Sequence, residues 1–329
     1  METTAFRVID RGADLDVLGA THLVECTTLA IGCEGVEFGV PGARLALVQV
    51  YTPDTCFVFD IVDLQPEEAP TPALELLKSL LESSSIVKVA HDSKWHGLLL
   101  KQRCGILLST VHDTASWHAV LRGMGDTLHA TGLNETLHAY GCTTVPPRDT
   151  AGYTANPSFW ETRPLTSQMK LRALQPVKVL LALQAAQLRA ATPAQVPRCH
   201  DESAANVARL REGTWDVVYI HPTQLRRLDA KKLRALEAKT SSFVATRAGP
   251  PPIAFVHAHS DSALAAGVEA LQKYTDPASP RLAPFDEMEI EPDEYGPREY
   301  GFGDFDYDNR GADYDEFWYY RYGGEGGEV

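Results

Sequence analysis

The stretch LAIGCEGVEFG, residues 29–39, decides how the first half of this chain is interpreted. Its apolar start favours a buried strand, and its glycines favour a turn at the end. Residues two apart on a strand point to the same face, so Gly32 and Glu34 are predicted to share a face while Cys33 points to the core. A carboxylate pair at 32 and 34 could bind a metal ion, but position 32 holds glycine. Only half of a metal-binding pair is therefore present.

The segments around this strand alternate between strand-like and helix-like patterns. Strands are predicted at CTTLAIGCEG, ARLALVQVYT and CFVFDIV, and their short separations favour an antiparallel meander. The helical pattern of ALELLKSLLES then leads into a further strand, IVKVAH, as in a crossover connection. Helical patterns continue to about residue 190, and Pro176 predicts a kink or break in the last of them. The predicted fold class is α/β, a mixed sheet flanked by helices.

Five regions are predicted along the chain. They are an N-terminal segment (1–19), the mixed-sheet domain (20–192), a linker (193–212), a small α+β domain (213–277) and a tail (278–329). The linker is inferred from its prolines and polar residues and is expected to end in a short helix. The small domain has the predicted order β-α-α-β-β-α. The tail is rich in Gly, Asp, Glu and Tyr and has few aliphatic residues, which predicts disorder.

The net charge of −14 comes mainly from the tail, where residues 286–329 contain 15 acidic and 3 basic residues. The rest of the chain is close to neutral. The small domain contains a basic cluster made of Arg226, Arg227, Lys231, Lys232 and Arg234. Such a cluster favours contact with nucleic-acid phosphates, although a solvated helix face explains it equally well.

Six cysteines are spread along the chain without a CxxC pair, which is typical of reduced thiols in an intracellular protein. The first residues, METTAFRVIDRGADLD, lack the pattern of a signal or transit peptide. No apolar run reaches the ~18 residues of a membrane span. We therefore expect no membrane partner and a cytoplasmic or nuclear location.

Four ordered segments resemble the DEDD-type 3′–5′ exonuclease family, whose fold is RNase H-like. They are AIGCEGVEFG, ARLALVQV with CFVFDI, LLKSLLESSSIVKVAHDSKW with GILLSTVHDT, and WETRPLTSQMKLRALQPVKVLLAL. The resemblance covers about residues 20–190. Within the family the chain resembles the Egalitarian-like branch, which includes RNA-binding adaptors that scaffold larger complexes and in some cases self-associate.

The resemblance implies five active-site positions, of which one still carries an acidic group. It places Gly32 and Glu34 at the first acid pair, His96 at the next aspartate, and Arg172 and Pro176 at the closing tyrosine and aspartate. The family's reaction uses two divalent cations, which need several oxygen ligands. One carboxylate is too few to hold Mg²⁺ or Mn²⁺ in this way, so we expect no catalytic residue, no metal and no other cofactor.

Three functions remain open. The first is a catalytically inactive adaptor or scaffold that binds RNA in a ribonucleoprotein complex, with protein partners and with a homodimer as one option. The second is a working exonuclease with relocated ligands, such as His96, Glu34 and Asp92 around one transition metal. The third is a structural subunit that contacts only protein.

The small domain resembles a type I KH module in the order of its elements. KH modules hold single-stranded backbone with a Gly-x-x-Gly loop. The corresponding residues, Arg227 to Ala230, contain no glycine. The neighbouring basic residues would still offer phosphates a positive edge.

Histidines and aspartates of the first domain could also be assembled into a zinc site. They are His91, Asp92, His96, His112, Asp113 and His118. Their spacing matches no recognised zinc site, so structural roles are expected. Asp113 in particular is predicted to cap the helix that follows it.

Overall fold

The computed structural model describes residues 4–36, 43–65, 71–124, 131–146, 156, 158–220, 230–247 and 253–275. The chain divides after Glu212 into two compact units. The predicted tail (278–329) lies outside the described residues. Within the described ranges, no helix is both long and apolar enough to cross a membrane.

The first unit is built on a sheet of six strands. They are β1 (Ala5–Ile9), β2 (Thr28–Val36), β3 (Arg44–Tyr51), β4 (Thr55–Asp60), β5 (Val87–Ala90) and β6 (Val111–Asp113), in the order β1-β4-β3-β2-β5-β6. The β2–β3 and β3–β4 pairs are antiparallel, as predicted for the meander. The β1–β4, β2–β5 and β5–β6 pairs are parallel. The predicted mixed sheet is therefore confirmed.

Helices flank this sheet. They are α1 (Ile61–Leu64), α2 (Pro72–Glu82), α3 (Lys94–Cys104), α4 (Thr114–Leu121), α5 (Leu133–Ala139), α6 (Ser167–Lys178), α7 (Leu180–Ala190) and α8 (Val196–Ala208), with short 3₁₀ helices at Ala20–Glu25 and Phe159–Glu161. Helix α2 shows how local sequence sets a boundary. Thr71 accepts a hydrogen bond from the Leu74 amide, and Pro72 occupies the first helical position, where no N–H is needed.

Two apolar cores lie on opposite faces of the sheet. Cys33 belongs to the core formed with α2 and α3, which confirms its predicted core position. Ala30 belongs to the other core, together with Val177 of α6. Because side chains alternate along a strand, Gly32 and Glu34 share the face of Ala30 and lie on the α6 side.

Residues 193–212, predicted as a linker that ends in a short helix, mostly form helix α8, which packs against α3, α4 and β6. Its buried side chains include Cys199, Ser203 and Val207, which recur every four residues and share one face. The approach to α3 is close, since a Cβ at Gly97 would lie 2.3 Å from the Val207 carbonyl oxygen. The full length of this helix is not evident from the sequence, because part of its buried face is polar and forms hydrogen bonds inside the fold.

The second unit contains strands β7 (Thr214–Tyr219), β8 (Phe243–Arg247) and β9 (Ile253–Ala258) and helices α9 (Ala230–Thr240) and α10 (Asp261–Thr275). The strands form an antiparallel sheet with the order β7-β9-β8. Leu236 and Leu271 of the two helices pack in its core. The predicted pair of helices before β8 is described only from residue 230 onward, since residues 221–229 lie outside the described ranges.

Candidate functional site

Strand β2 leads into the candidate site, where Glu34 is buried. The β2–β3 register shifts between Glu34 and Gly35, which creates a β-bulge beside the carboxylate. Glycine is required at position 35, because a Cβ there would lie 2.1 Å from the Arg44 carbonyl oxygen. The sequence GCEG, residues 32–35, therefore determines on which face of the sheet Glu34 lies and allows β3 to approach closely beside it.

The space for an acid at position 32 is filled. Gly32 pairs with Gln49 of β3, whose side chain is only 1% exposed. A Cβ at position 32 would lie 2.7 Å from Gln49 Oε1 and 2.7 Å from Val177 Cγ1. An aspartate would have to displace both side chains. Gln49 is not among the predicted site residues, although a polar residue inside the apolar run ARLALVQVYT is a recognisable signal.

Gln49 contributes a neutral amide beside Gly32, the position at which the resemblance implies an acid. Its Nε2 group has no hydrogen-bond acceptor among the described residues. A buried donor without an acceptor costs stability, and such donors are rare in folded proteins. The amide therefore fills this space at a cost to the fold.

His96 is the third residue of α3 and is buried. Burial lowers the pKa of His96 to about 4, although the nearby carboxylates of Asp92 and Asp113 oppose this effect. The imidazole is therefore neutral at neutral pH. It does not replace the negative charge of the aspartate that the family has at this position.

Asp92 is one of the three residues that could form a relocated metal site, but it already has partners within the fold. It forms a buried ion pair with Lys94 and accepts a hydrogen bond of 3.4 Å from Asn206. Among the described residues, no three His, Cys, Asp or Glu side chains form a group that could hold a metal ion. The geometry of these residues therefore gives no support to a relocated metal site.

Asp113 is fully buried at the end of β6 and accepts several hydrogen bonds. Those from the amides of Ala115 and Ser116 confirm the predicted helix cap. Ser93 donates through its N–H at 2.7 Å and its O–H at 2.6 Å, and Asn206 donates through Nδ2 at 2.7 Å. Burial alone would raise the pKa of Asp113, but the hydrogen bonds from Ser93 and Asn206 outweigh it and lower the pKa. This carboxylate is charged and has a structural role.

The neighbouring histidines also have partners within the fold. His91 contacts Thr114 Oγ1 through Nδ1 and the Thr131 carbonyl oxygen through Nε2, both at 2.9 Å. His112 Nε2 contacts Gln187 Oε1 at 3.0 Å. Burial lowers the pKa of His112 to about 4, so this ring is neutral as well. These contacts agree with the expected structural roles.

Helix α6 carries the last two family positions, Arg172 and Pro176, which lie one turn apart on one face. The helix packs against β2 and β3, with Val177 in the shared core. The guanidinium carbon of Arg172 lies 5.1 Å from the Phe159 ring centroid, which is a cation–π distance. The predicted interruption falls just after the proline, because α6 ends at Lys178.

Two arginine–carboxylate pairs lie near these positions. Arg44, the first residue of β3, donates to both carboxylate oxygens of Glu161, at 2.6 and 3.1 Å. Arg163 donates to both oxygens of Asp60, each at 2.5 Å. The sequence does not reveal these pairs, because the partners are about 100 residues apart, as their separations of 117 and 103 show.

The predicted nucleic-acid-binding residues of the second unit are described only in part. Arg226 and Arg227 lie outside the described residues, and the side chain of Lys231 is also outside them. Lys232 is half-buried and Arg234 is exposed on α9. Residues two apart on a helix point about 200° apart, so these two side chains do not share one face.

A mixed sheet flanked by helices, with an acidic strand end facing α6, defines the RNase H-like class of folds. Residues 19–188 match the family model described as 3′–5′ exonuclease. The chain therefore belongs to the 3′–5′ exonuclease domain family. The predicted family membership is confirmed.

Two curated relatives match a shorter segment. The piRNA biogenesis protein EXD1 of Xenopus laevis is 28% identical over 113 residues, and that of Mus musculus is 30% identical over 113 residues. Each match covers 34% of this chain but only 24% and 19%, respectively, of the relatives' own lengths.

Solved structures show the same fold. RNase D of Trypanosoma brucei superposes with a TM-score of 0.55 at 21% identity, over 65% of this chain and 75% of that chain. The same enzyme in complex with RNA U12 gives a TM-score of 0.52 at 21% identity, over 65% and 72% of the two chains. At this level of identity, the similarity establishes the fold alone.

Proposed function

We propose that this protein is a catalytically inactive 3′–5′ exonuclease-like protein that acts as an RNA-binding adaptor or scaffold. The observation that carries the proposal is the filled space at Gly32. Gln49 and Val177 occupy the place that an acidic side chain would need. The site is therefore packed with neutral groups where the family's reaction requires metal ligands.

The residues at the five family positions do not fit a pair of divalent cations. Mg²⁺ and Mn²⁺ take oxygen ligands, and two-metal hydrolysis needs several of them around one point. Glu34 is the single carboxylate among the five positions. The nearby carboxylates of Asp92 and Asp113 are engaged with Lys94 and with hydrogen-bond donors of the fold. We therefore assign no metal and no catalytic residue to this site.

RNA is the ligand class that the relatives favour. One structural neighbour is an RNase D in complex with RNA, and the curated relatives are named for piRNA biogenesis. Replacing the metal ligands leaves the sheet and its flanking helices intact, so a strand can be held without being cut. This combination supports an adaptor rather than a nuclease.

The second unit is proposed to add a KH-like RNA contact. The order of its described elements and the basic residues in and before α9 support this part of the proposal. Without glycine in the corresponding loop, Lys232 and Arg234 contact phosphates as charges rather than through a backbone clamp. Protein partners of a ribonucleoprotein complex and self-association into a homodimer belong to the same proposal.

The test incubates the purified chain with 5′-labelled single-stranded RNA and Mg²⁺ or Mn²⁺. We expect the RNA length to stay constant, while fluorescence anisotropy shows binding that weakens as salt increases. Shortening of the RNA that disappears in the Glu34→Gln variant would contradict the proposal and favour an exonuclease with relocated ligands. Absence of RNA binding even at low salt would instead favour a subunit that contacts only protein, which crosslinking to RNA in cells would check.

A further inference from the structure

The sheet of the second unit has two edge strands, β7 and β8, and their environments differ. At β8, the Val244 amide donates to the carboxylate of Glu237 at 2.7 Å, and Glu237 is buried on α9. Helix α9 therefore satisfies an amide of this edge strand from inside the unit. An edge amide that is satisfied in this way does not pair with another strand.

Strand β7 is the more exposed of the two edges. Tyr219 is 73% exposed and Val217 is 43% exposed, and both are apolar or aromatic residues of this strand. Thr214 and Asp216 are exposed as well, whereas the described side chains of β8 are buried. An exposed edge strand with large apolar side chains favours pairing with a further strand.

The hydrogen bonds of β7 show which backbone groups point to its outer edge. The Val217 amide donates to the carboxylate of Asp216 at 2.7 Å, which indicates a non-hydrogen-bonded position of the β7–β9 ladder. Because the two kinds of position alternate in an antiparallel ladder, Trp215 and Tyr219 occupy the same kind of position. The backbone N–H and C=O groups of these three residues therefore point to the outer edge.

The sequence of β7, TWDVVY, can pair with itself in an antiparallel arrangement centred on Val217. A two-fold axis at this residue places Val217 opposite its counterpart and Trp215 opposite Tyr219 of the second copy. Asp216 then lies opposite Val218, so the two carboxylates do not face each other directly. The same strand serves both copies, which is the property of an isologous interface.

The side chains that would meet across this interface continue an aromatic row of the sheet. The ring of Trp215 lies 4.6 Å from the ring of His257 and 6.4 Å from the ring of Phe243. A strand that pairs with β7 extends this row if it places an aromatic side chain opposite Trp215. The β7 strand of a second copy supplies Tyr219 at this position, which favours a second copy as the occupant.

We infer that two copies of the chain form a symmetric dimer in which their β7 strands pair antiparallel around Val217. The resulting sheet has six strands in the order β8-β9-β7-β7-β9-β8. The inference rests on the proposed function, of which self-association is one part, and it names the surface responsible. Asp216 has to release the Val217 amide when the strands pair, so the dimer forms reversibly and depends on protein concentration.

The dimer is measured by sedimentation velocity of the full chain over a series of concentrations. Val217→Lys places two like charges opposite each other at the two-fold axis, so we expect the dissociation constant to rise about tenfold or more. Tyr219→Ser should also weaken the dimer, and its effect on folding should be small because the side chain is 73% exposed. Circular dichroism checks that both variants are folded.

Leu188→Lys is the matched control, because Leu188 is an apolar residue of the first unit with a similar exposure of 48%. This variant should dimerise like the wild type. Asp216→Asn should have the opposite effect to Val217→Lys, since it removes two carboxylates that lie diagonally across the interface. We expect its dissociation constant to fall about two- to fivefold.

The register is tested with single cysteines and the short thiol crosslinker bismaleimidoethane. Val217→Cys should give crosslinked dimers, because the Cα atoms of a directly opposite hydrogen-bonded pair lie about 5.5 Å apart. Thr214→Cys is exposed on the same strand, but its counterpart lies about 20 Å away in this register, so it should not crosslink. The wild type provides the background from the native cysteines.

The same preparations are tested for RNA binding by fluorescence anisotropy, which separates the dimer from the proposed function. A wild type that stays monomeric, or a dimer that Val217→Lys leaves intact, overturns the inference even if RNA is bound. A dimer that Val217→Lys dissociates but that binds no RNA supports the β7 contact and contradicts the RNA-binding part of the proposed function. Equal crosslinking of the two cysteine variants contradicts the pairing around Val217.

Discussion

Strands β2 and β6 belong to one sheet, but the environments for an acidic side chain at their ends differ. At β6, Asp113 is fully buried and keeps its charge because Ser93, Asn206 and two backbone amides donate to it. At β2, Gly32 stands where the family has an acid, and Gln49 and Val177 fill its space. A buried carboxylate is stable at the end of β6 because the fold supplies hydrogen-bond donors to it, whereas at position 32 neutral side chains occupy the space.

Removal of the Asp113 carboxylate should cause the largest loss of stability among the changes that test this comparison. Asp113→Ala leaves the buried donors of Ser93 and Asn206 without an acceptor and removes the cap of α4, so we expect the free energy of unfolding to fall by about 3–5 kcal/mol. Urea unfolding followed by circular dichroism measures the loss. The matched control Asp54→Ala removes an exposed carboxylate and should cost less than about 0.5 kcal/mol. Equal losses in the two variants would contradict the structural role of Asp113.

Restoring the acid at the other strand end should destabilise the protein. Gly32→Asp forces side-chain atoms against Gln49 and Val177, so the free energy of unfolding should fall by about 2–3 kcal/mol. The same urea experiment measures it, and Gln49→Ala in the Gly32→Asp background should recover part of the loss by making room. A Gly32→Asp protein of wild-type stability that also trims RNA with Mn²⁺ would show that the space is not filled as described.

Acidification should affect His96 at a higher pH than Asp113. The pKa of His96 is lowered by burial from 6.5 to about 4, so between these values the unfolded chain binds a proton that the folded chain does not. This contribution to stability is complete above pH 6.5 and is lost as the pH falls toward 4. The lowered pKa of Asp113 acts only at more acidic pH, since its usual value is 3.8.

Wild type and His96→Gln are compared by urea unfolding at pH 6.5 and at pH 5. We expect the wild type to lose on the order of 1 kcal/mol more than the variant over this interval. His112 and His118, whose pKa values are also lowered to about 4, titrate in both proteins and serve as an internal reference. Identical losses in the two proteins would mean that His96 is not buried in its neutral form.

The smallest effect is expected at the Arg44–Glu161 pair. Arg44→Gln breaks a bidentate pair with Glu161, but the arginine is 54% exposed, so thermal unfolding should show a loss of about 0.5–1 kcal/mol at most. Added salt should reduce the difference between wild type and variant, because exposed ion pairs are screened. A loss as large as that of Asp113→Ala would contradict the description of this pair as exposed.

Strands β2 to β5 could be predicted from the sequence because their signals are local, whereas β1 and β6 are not among the predicted strands. The glycine at position 35 and the alternating apolar residues of β2 set the bulge and the two faces. The sequence predicts only a short helix at the end of residues 193–212, whereas α8 has 13 residues. Ser203 and Asn206 look like linker residues until Asp113, about 90 residues away, is placed beside them. Local composition does not report partners that only the tertiary fold brings together.

The family resemblance assigns the five candidate positions, but no sequence pattern indicates which side chains surround them. What fills the space at Gly32 depends on the register between β2 and β3 and on the packing of α6, which no local pattern specifies. The Arg44–Glu161 pair likewise depends on the contact between β3 and the 3₁₀ helix Phe159–Glu161.

The titration of Mn²⁺ into the purified chain tests most directly whether the end of β2 still holds a pair of divalent cations. Isothermal titration calorimetry on the wild type and on Glu34→Gln should give the same result, with no saturable sub-millimolar site that depends on Glu34. Two such sites in the wild type, both lost in Glu34→Gln, would contradict the inactive site and identify a working nuclease.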